Sequence, residues 1–189
     1  MKKLLPLLLF FISNLLFSQP KTAENYFKRA QKHHANFESN KAIDDYTTSI
    51  QLNPNYTKAY INRGVLREFR GNYQAALNDF TKAIQLEPSN ADTYSKRGSL
   101  KLQFNNEQGA IKDYNIAIIL QPNYADTYLK RGIENQKLLR YKKATIDFDK
   151  AIELKPKFTD AYYYRATLKE DTKKYPEAIN DYNIALELR

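Results

Sequence analysis

The sequence predicts an all-α solenoid of five stacked helical hairpins. Proline returns every 34 residues, at Pro54, Pro88, Pro122 and Pro156. With this proline as position 32, the units start at Ala23, Thr57, Ala91, Ala125 and Thr159. Position 4 is then Tyr26, Tyr60, Tyr94, Tyr128 and Tyr162, and position 20 is Ala42, Ala76, Ala110, Ala144 and Ala178. A period of this length belongs to helical hairpins that cannot bury their apolar faces alone and must stack.

The segment before the repeats has a different character. Met1, Lys2 and Lys3 form a basic head, an apolar run follows from Leu4 to Phe17, and Ser18-Gln19 is a possible cleavage point. This is the layout of a secretory signal peptide. The rival reading, a membrane anchor, needs about 20 apolar residues; this run is shorter and is broken by Ser13 and Asn14. The expected organisation is a signal peptide over residues 1–18, a lead-in over 19–22 and a repeat domain over 23–189. The repeats span 23–56, 57–90, 91–124, 125–158 and 159–189. The protein is expected to be exported, periplasmic or secreted, with no membrane insertion once the signal is removed.

Within a unit, helix A is expected at about positions 2–14 and helix B at about 18–31. In the second unit the break falls at Gly71-Asn72, and Pro88 ends helix B because it lacks an amide hydrogen. Position 8 is Ala30, Gly64, Gly98, Gly132 and Ala166, a small column that lets helices A and B cross closely with position 20. Position 24 is Tyr46, Phe80, Tyr114, Phe148 and Tyr182, aromatic rings that fill the space between hairpins. Small residues at position 27, Ser49, Ala83, Ala117, Ala151 and Ala185, suit close approach of the next unit.

These columns resemble the tetratricopeptide repeat family, from Ala23 to Arg189. The resemblance implies a right-handed α-solenoid whose A helices line a concave groove, and a non-catalytic module that binds proteins or peptides. The chain keeps the family's Ala, Phe/Tyr, Ala and Pro at positions 20, 24, 27 and 32. It departs in helix A, with tyrosine for tryptophan at position 4 and arginine at position 7. Position 11, where an aromatic is usual, holds His33, Arg67, Lys101, Asn135 and Lys169.

The arginine column, Arg29, Arg63, Arg97, Arg131 and Arg165, is matched by an aspartate column at position 23: Asp45, Asp79, Asp113, Asp147 and Asp181. We expect each arginine to pair with the aspartate of its own unit, because buried charges are normally paired and guanidinium fits carboxylate through two parallel hydrogen bonds. The arginines are then structural rather than a stripe for reading phosphates.

Catalytic chemistry finds no foothold. The chain has no cysteine, which removes disulfides, thiolate metal sites, thiol catalysis and lipid attachment through an N-terminal cysteine. His33 and His34 are adjacent, so they do not share a helix face as metal-binding pairs at i,i+4 do. We expect no cofactor, no metal and no enzyme activity. The net charge of +9 comes from lysines scattered among acids, so nucleic acid is not an expected partner.

What remains is a binding surface. The resemblance assigns positions 2, 5, 6, 9, 12 and 13 to the groove. Phe27, Gln31, Ile61, Val65, Phe69, Ser95, Leu102, Leu129, Ile133 and Tyr163 are the candidate partner-binding residues, mostly apolar where solvent-facing residues are usually polar. The family's carboxylate clamp is disfavoured, because Phe27, Gln31 and Asp92 stand where its basic and amide residues belong. Glu24–Lys28, Asp92–Lys96 and Asp126–Lys130 are also expected to neutralise one another at i,i+4. A second expectation is self-association through the last helix, where Ile184, Leu186 and Leu188 lie near Arg189.

Overall fold

The computed structural model describes residues 22–189, so the leader read from Met1 to Ser18 lies outside the described residues. Those residues form ten α-helices and no strand: α1 Ala23–Ala35, α2 Ser39–Leu52, α3 Thr57–Phe69, α4 Tyr73–Leu86, α5 Ala91–Lys101, α6 Glu107–Leu120, α7 Ala125–Lys137, α8 Tyr141–Leu154, α9 Thr159–Asp171 and α10 Tyr175–Glu187. A 3-10 turn, Leu102–Phe104, extends α5. Each odd-numbered helix packs on the next to make a hairpin, and each hairpin packs on its successor. Among the described residues no helix is long and apolar enough to cross a membrane.

The same local chemistry delimits every unit. Helix B ends at position 30, and the next residue, Asn53, Glu87, Gln121 or Lys155, has a ψ between 79° and 92°. The following proline excludes helix there. Helix A ends through position 15, which has positive φ in all five units: Phe37 (60°), Gly71 (76°), Asn105 (51°), Leu139 (56°) and Lys173 (60°). The amide after it reaches back to the carbonyl five residues earlier, as in Asn72 N to Arg67 O at 2.8 Å. This closes the orphan carbonyls of a helix end. Glycine takes that conformation freely, whereas a side chain pays about 1–2 kcal/mol.

Position 20 is buried throughout, but position 8 meets chiefly the aromatic ring of position 24. A Cβ on Gly64 would lie 2.8 Å from Phe80 Cε1, and one on Gly132 would lie 2.6 Å from Phe148 Cε1. The aromatic column therefore fills its own hairpin, and glycine makes room for it. The buried Ser49 hydroxyl donates to the Ala23 carbonyl at 2.7 Å, so position 27 abuts the start of its own helix A.

Each column-7 arginine donates from Nε and Nη2 to the aspartate 16 residues on, at 2.5–3.0 Å. Position 11 adds a further donor to the same carboxylate: Arg67 at 2.8 Å, Lys101 at 2.7 Å, Asn135 at 3.0 Å and Lys169 at 2.6 Å. In the first unit His33 Nε2 lies 3.7 Å from Asp45. The third arginine nitrogen, Nη1, crosses to position 25 of the preceding unit, from Arg63 to Thr47, Arg97 to Thr81, Arg131 to Asn115 and Arg165 to Asp149. Every guanidinium also sits 4.8–5.6 Å from the ring centre of the position-4 tyrosine. The odd residues of helix A thus form one ladder that closes each hairpin and staples it to its neighbour.

Candidate functional site

The face of the A helices was the expected groove, and the structure divides its candidates. Phe27, Ser95 and Leu129 are corrections: all three are buried. Position 5 lies one helical turn from positions 1 and 8, both on the packed stripe, so its side chain turns inward. Phe27 packs between Tyr46 and Tyr56, with ring centres 5.5 and 4.8 Å away. Ser95 Oγ accepts from Thr127 Oγ1 at 3.1 Å across the unit boundary. Leu129 joins Ala144, Phe148 and Phe158 in the core. Tyr163, in the same column of the last unit, is half exposed and touches Tyr164 and Tyr182.

Ile61, Leu102 and Ile133 are partly buried. Gln31, Val65 and Phe69 are brought together. They line an open cup of about 500 Å³ between the first two hairpins. His34, Ala35, Phe37, Ser39 and Asn62 complete its walls, with Leu66 and Tyr46.

Two features of the cup were not read from the sequence. Phe37, 94% exposed, joins the expected Phe69, 83% exposed, so two phenyl rings stand in water beside it. Phe37 also occupies the positive-φ turn position where the second unit has Gly71. That substitution was the available signal. Tyr46, wholly buried and lining the cup, has a hydroxyl with no hydrogen-bond partner among the described residues. Its counterpart Tyr114 is paired with Ser99 at 3.2 Å, and the units between and beyond use Phe80 and Phe148. Burial holds the Tyr46 phenol near about 12, so it stays protonated at neutral pH.

Further along the same face, charges replace apolar groups. Glu24–Lys28 and Asp92–Lys96 form salt bridges at 3.3 and 3.5 Å. Asp126 and Lys130 do not close to one. Burial lowers the Lys130 ammonium, and the charge of Lys96 lowers it further. Burial raises the Glu68 carboxyl against the pull of Lys96 and Lys130. Glu134 is buried at position 10, where Leu66, Leu100 and Leu168 stand in other units. One of its oxygens holds Lys137 at 2.8 Å and the other has no partner. Among the described residues no group of three or more histidines and carboxylates is placed to hold a metal ion.

Comparison with known proteins places this geometry. Residues 57–90 and 125–158 match sequence profiles of the tetratricopeptide repeat, and neither profile describes an enzyme. No curated protein shows significant sequence similarity to the chain. Among solved structures, one of MamA protein is 26% identical, covers 90% of this chain and 93% of its own, and superposes with a TM-score of 0.81. A tetratricopeptide repeat protein from Parabacteroides merdae is 23% identical, covering 87% of this chain and 66% of that one, with a TM-score of 0.79. YrrB, described as a TPR protein with an unusual peptide-binding site, is 18% identical with a TM-score of 0.76, covering 94% and 91%. These last two likenesses concern the fold alone.

Proposed function

We propose that this chain, a solenoid of tetratricopeptide repeats, is a non-catalytic interaction module that seats an apolar side chain of a peptide or protein segment in the cup between its first two hairpins. Proteins of this repeat type bind protein or peptide partners, and an open, largely apolar cup supports seating that role between the first two hairpins. The single observation that carries the reading is Phe37. Folding gains nothing from a phenyl ring that is exposed and held at φ 60°, a conformation costing about 1–2 kcal/mol for a side chain. The turn itself recurs in every unit, so what sets Phe37 apart is a large apolar ring left in water at the wall of the cup. With Phe69 and Val65 lining the same cup, an entering side chain would lose its water on several sides.

Peptides selected from a random display library against the intact repeat domain provide the test. They should carry an aromatic or large aliphatic anchor and lose at least tenfold in affinity to a Val65→Asn/Phe69→Ser variant. Equal affinity for that variant would remove the cup from the account. Phe27 and Leu129 are unsuitable for such a test, because polar replacements there would open the core.

The basic head and apolar run of residues 1–17 support an exported protein, with the repeat domain released after Ser18. N-terminal sequencing of the protein recovered from the periplasm should begin at Gln19; a start at Met1 would mean a retained segment. A second reading, self-assembly, is favoured by α10, which exposes Ile179 and Leu186. Sedimentation of the wild type against Ile179→Asn/Leu186→Gln separates it from peptide binding, since a monomer at high concentration would exclude it.

A further inference from the structure

Away from the cup, neighbouring repeats form clefts that gather cations supplied by the last two units. Two clefts lie there one repeat apart. The first, about 310 Å³, is walled by Ile111 and Asn115 of α6 and by Arg140, Lys143 and Ile146, over the Arg131–Asp147 pair. The second, about 350 Å³, is walled by Tyr141, Lys142 and Asp149 and by Lys174, over Arg165 and Lys169. The acids in them are already engaged. Asp147 accepts from Arg131 and Asn135, and Asp149 accepts from Arg165 at 2.8 Å. Among the described residues Arg140, Lys142, Lys143 and Lys174 make no ion pair, unlike the arginines and lysines of the ladder beneath them.

The repeat itself shows that the fold does not ask for these charges. Positions 16, 18 and 19, filled by Arg140, Lys142 and Lys143 in the fourth unit, are Asn72, Gln74 and Ala75 in the second and Asn106, Gln108 and Gly109 in the third. Three cations within four residues concentrate positive charge at the mouth of the clefts, which solvent and salt screen only in part. The turn just before them holds Leu139, 71% exposed at φ 56°, and Ile146 is also exposed. An anionic ligand that meets large apolar side chains between its charges is an acidic protein segment rather than a phosphate polymer.

We propose that these clefts are a second binding surface, recognising a segment of a partner protein that bears aspartates or glutamates interspersed with an apolar residue. The surface is separate from the cup, so the two can be occupied together.

The probe is a fluorescein-labelled peptide of alternating glutamates with one leucine, titrated by anisotropy at several salt concentrations. The cleft variant is Arg140→Asn, Lys142→Gln, Lys143→Ala, Lys174→Asn, whose replacements already occupy equivalent places in this chain and so preserve the helices. The control removes four other charges, Lys32, Lys58, Lys82 and Lys112, each to Gln. Binding should weaken steeply with salt, fall at least tenfold in the cleft variant, and change less than twofold in the control and in Phe69→Ser. The peptide with Gln for every Glu should not bind. Equal losses in the control, no binding by the wild type, or tighter binding to anionic vesicles or duplex DNA than to the peptide would each overturn the proposal.

Discussion

Arg63 donates to both oxygens of Asp79, at 3.0 and 2.7 Å, while its third nitrogen reaches Thr47 of the preceding hairpin at 3.0 Å. One side chain therefore closes a hairpin and fastens it to its neighbour. Arg67 approaches the same carboxylate at 2.8 Å, so two cations depend on Asp79.

Removing that carboxylate should be costly. Asp79→Ala leaves two guanidinium groups without a counter-ion in a place largely closed to water, at about 3–5 kcal/mol. Asp45→Ala in the first unit should cost only about 1 kcal/mol, because the Arg29 side chain is 57% exposed and water can replace the carboxylate. Urea denaturation of the two variants checks the order; equal losses would mean that the ladder is uniform in strength.

The last rung of the ladder also responds to acid. Burial pushes the Asp181 carboxyl up, but hydrogen bonds from Arg165 and Lys169 outweigh it and leave the group below its ordinary value. A depressed carboxyl stabilises the fold fully above the unfolded value of about 3.9, and that stabilisation is lost as pH falls through the folded value. Stability should drop below about pH 4, and Asp181→Asn should flatten that part of the profile while lowering stability at neutral pH. Urea midpoints at pH 7, 4 and 3 measure both.

Phe37→Gly relieves the positive-φ strain and should raise stability by about 1 kcal/mol, while weakening any ligand of the cup. Thermal unfolding and peptide affinity measured on the same variant should move in opposite directions. A loss of both would mean that Phe37 supports the fold.

Two buried atoms without partners among the described residues, on Tyr46 and Glu134, give predictions of gain. Tyr46→Phe removes an unpaired hydroxyl and should stabilise by about 1 kcal/mol, whereas Tyr114→Phe loses the bond to Ser99 and should destabilise by about the same amount. Glu134→Leu should stabilise by about 2 kcal/mol, since leucine already fills that position in three units. Chemical denaturation of the three variants distinguishes the signs.

The stacked hairpins were legible because proline, alanine and tyrosine recur in phase, and a recurring residue reports a recurring contact. Column 7 could be read against column 23 for the same reason. The role of position 11 could not, because His, Arg, Lys and Asn share only the ability to donate a hydrogen bond, which a residue-type column conceals. The left-handed turn at position 15 was hidden similarly, since only Gly71 announces it and Phe37, Asn105, Leu139 and Lys173 adopt it through the hairpin's demand. The groove was read least well. Position 5 belongs to the packed stripe, so Phe27, Ser95 and Leu129 face the core, and the cup draws on Phe37 from a turn that no helix-face pattern includes.

The central claim is that a peptide docks in the cup between the first two hairpins. Backbone amide shifts of the 15N-labelled domain, titrated with a display-selected peptide, test it most directly. The account predicts the largest shifts at Gln31, His34, Phe37, Asn62, Val65 and Phe69. Shifts centred on the B helices around Ile119 and Ile146, with the cup unchanged, would contradict it.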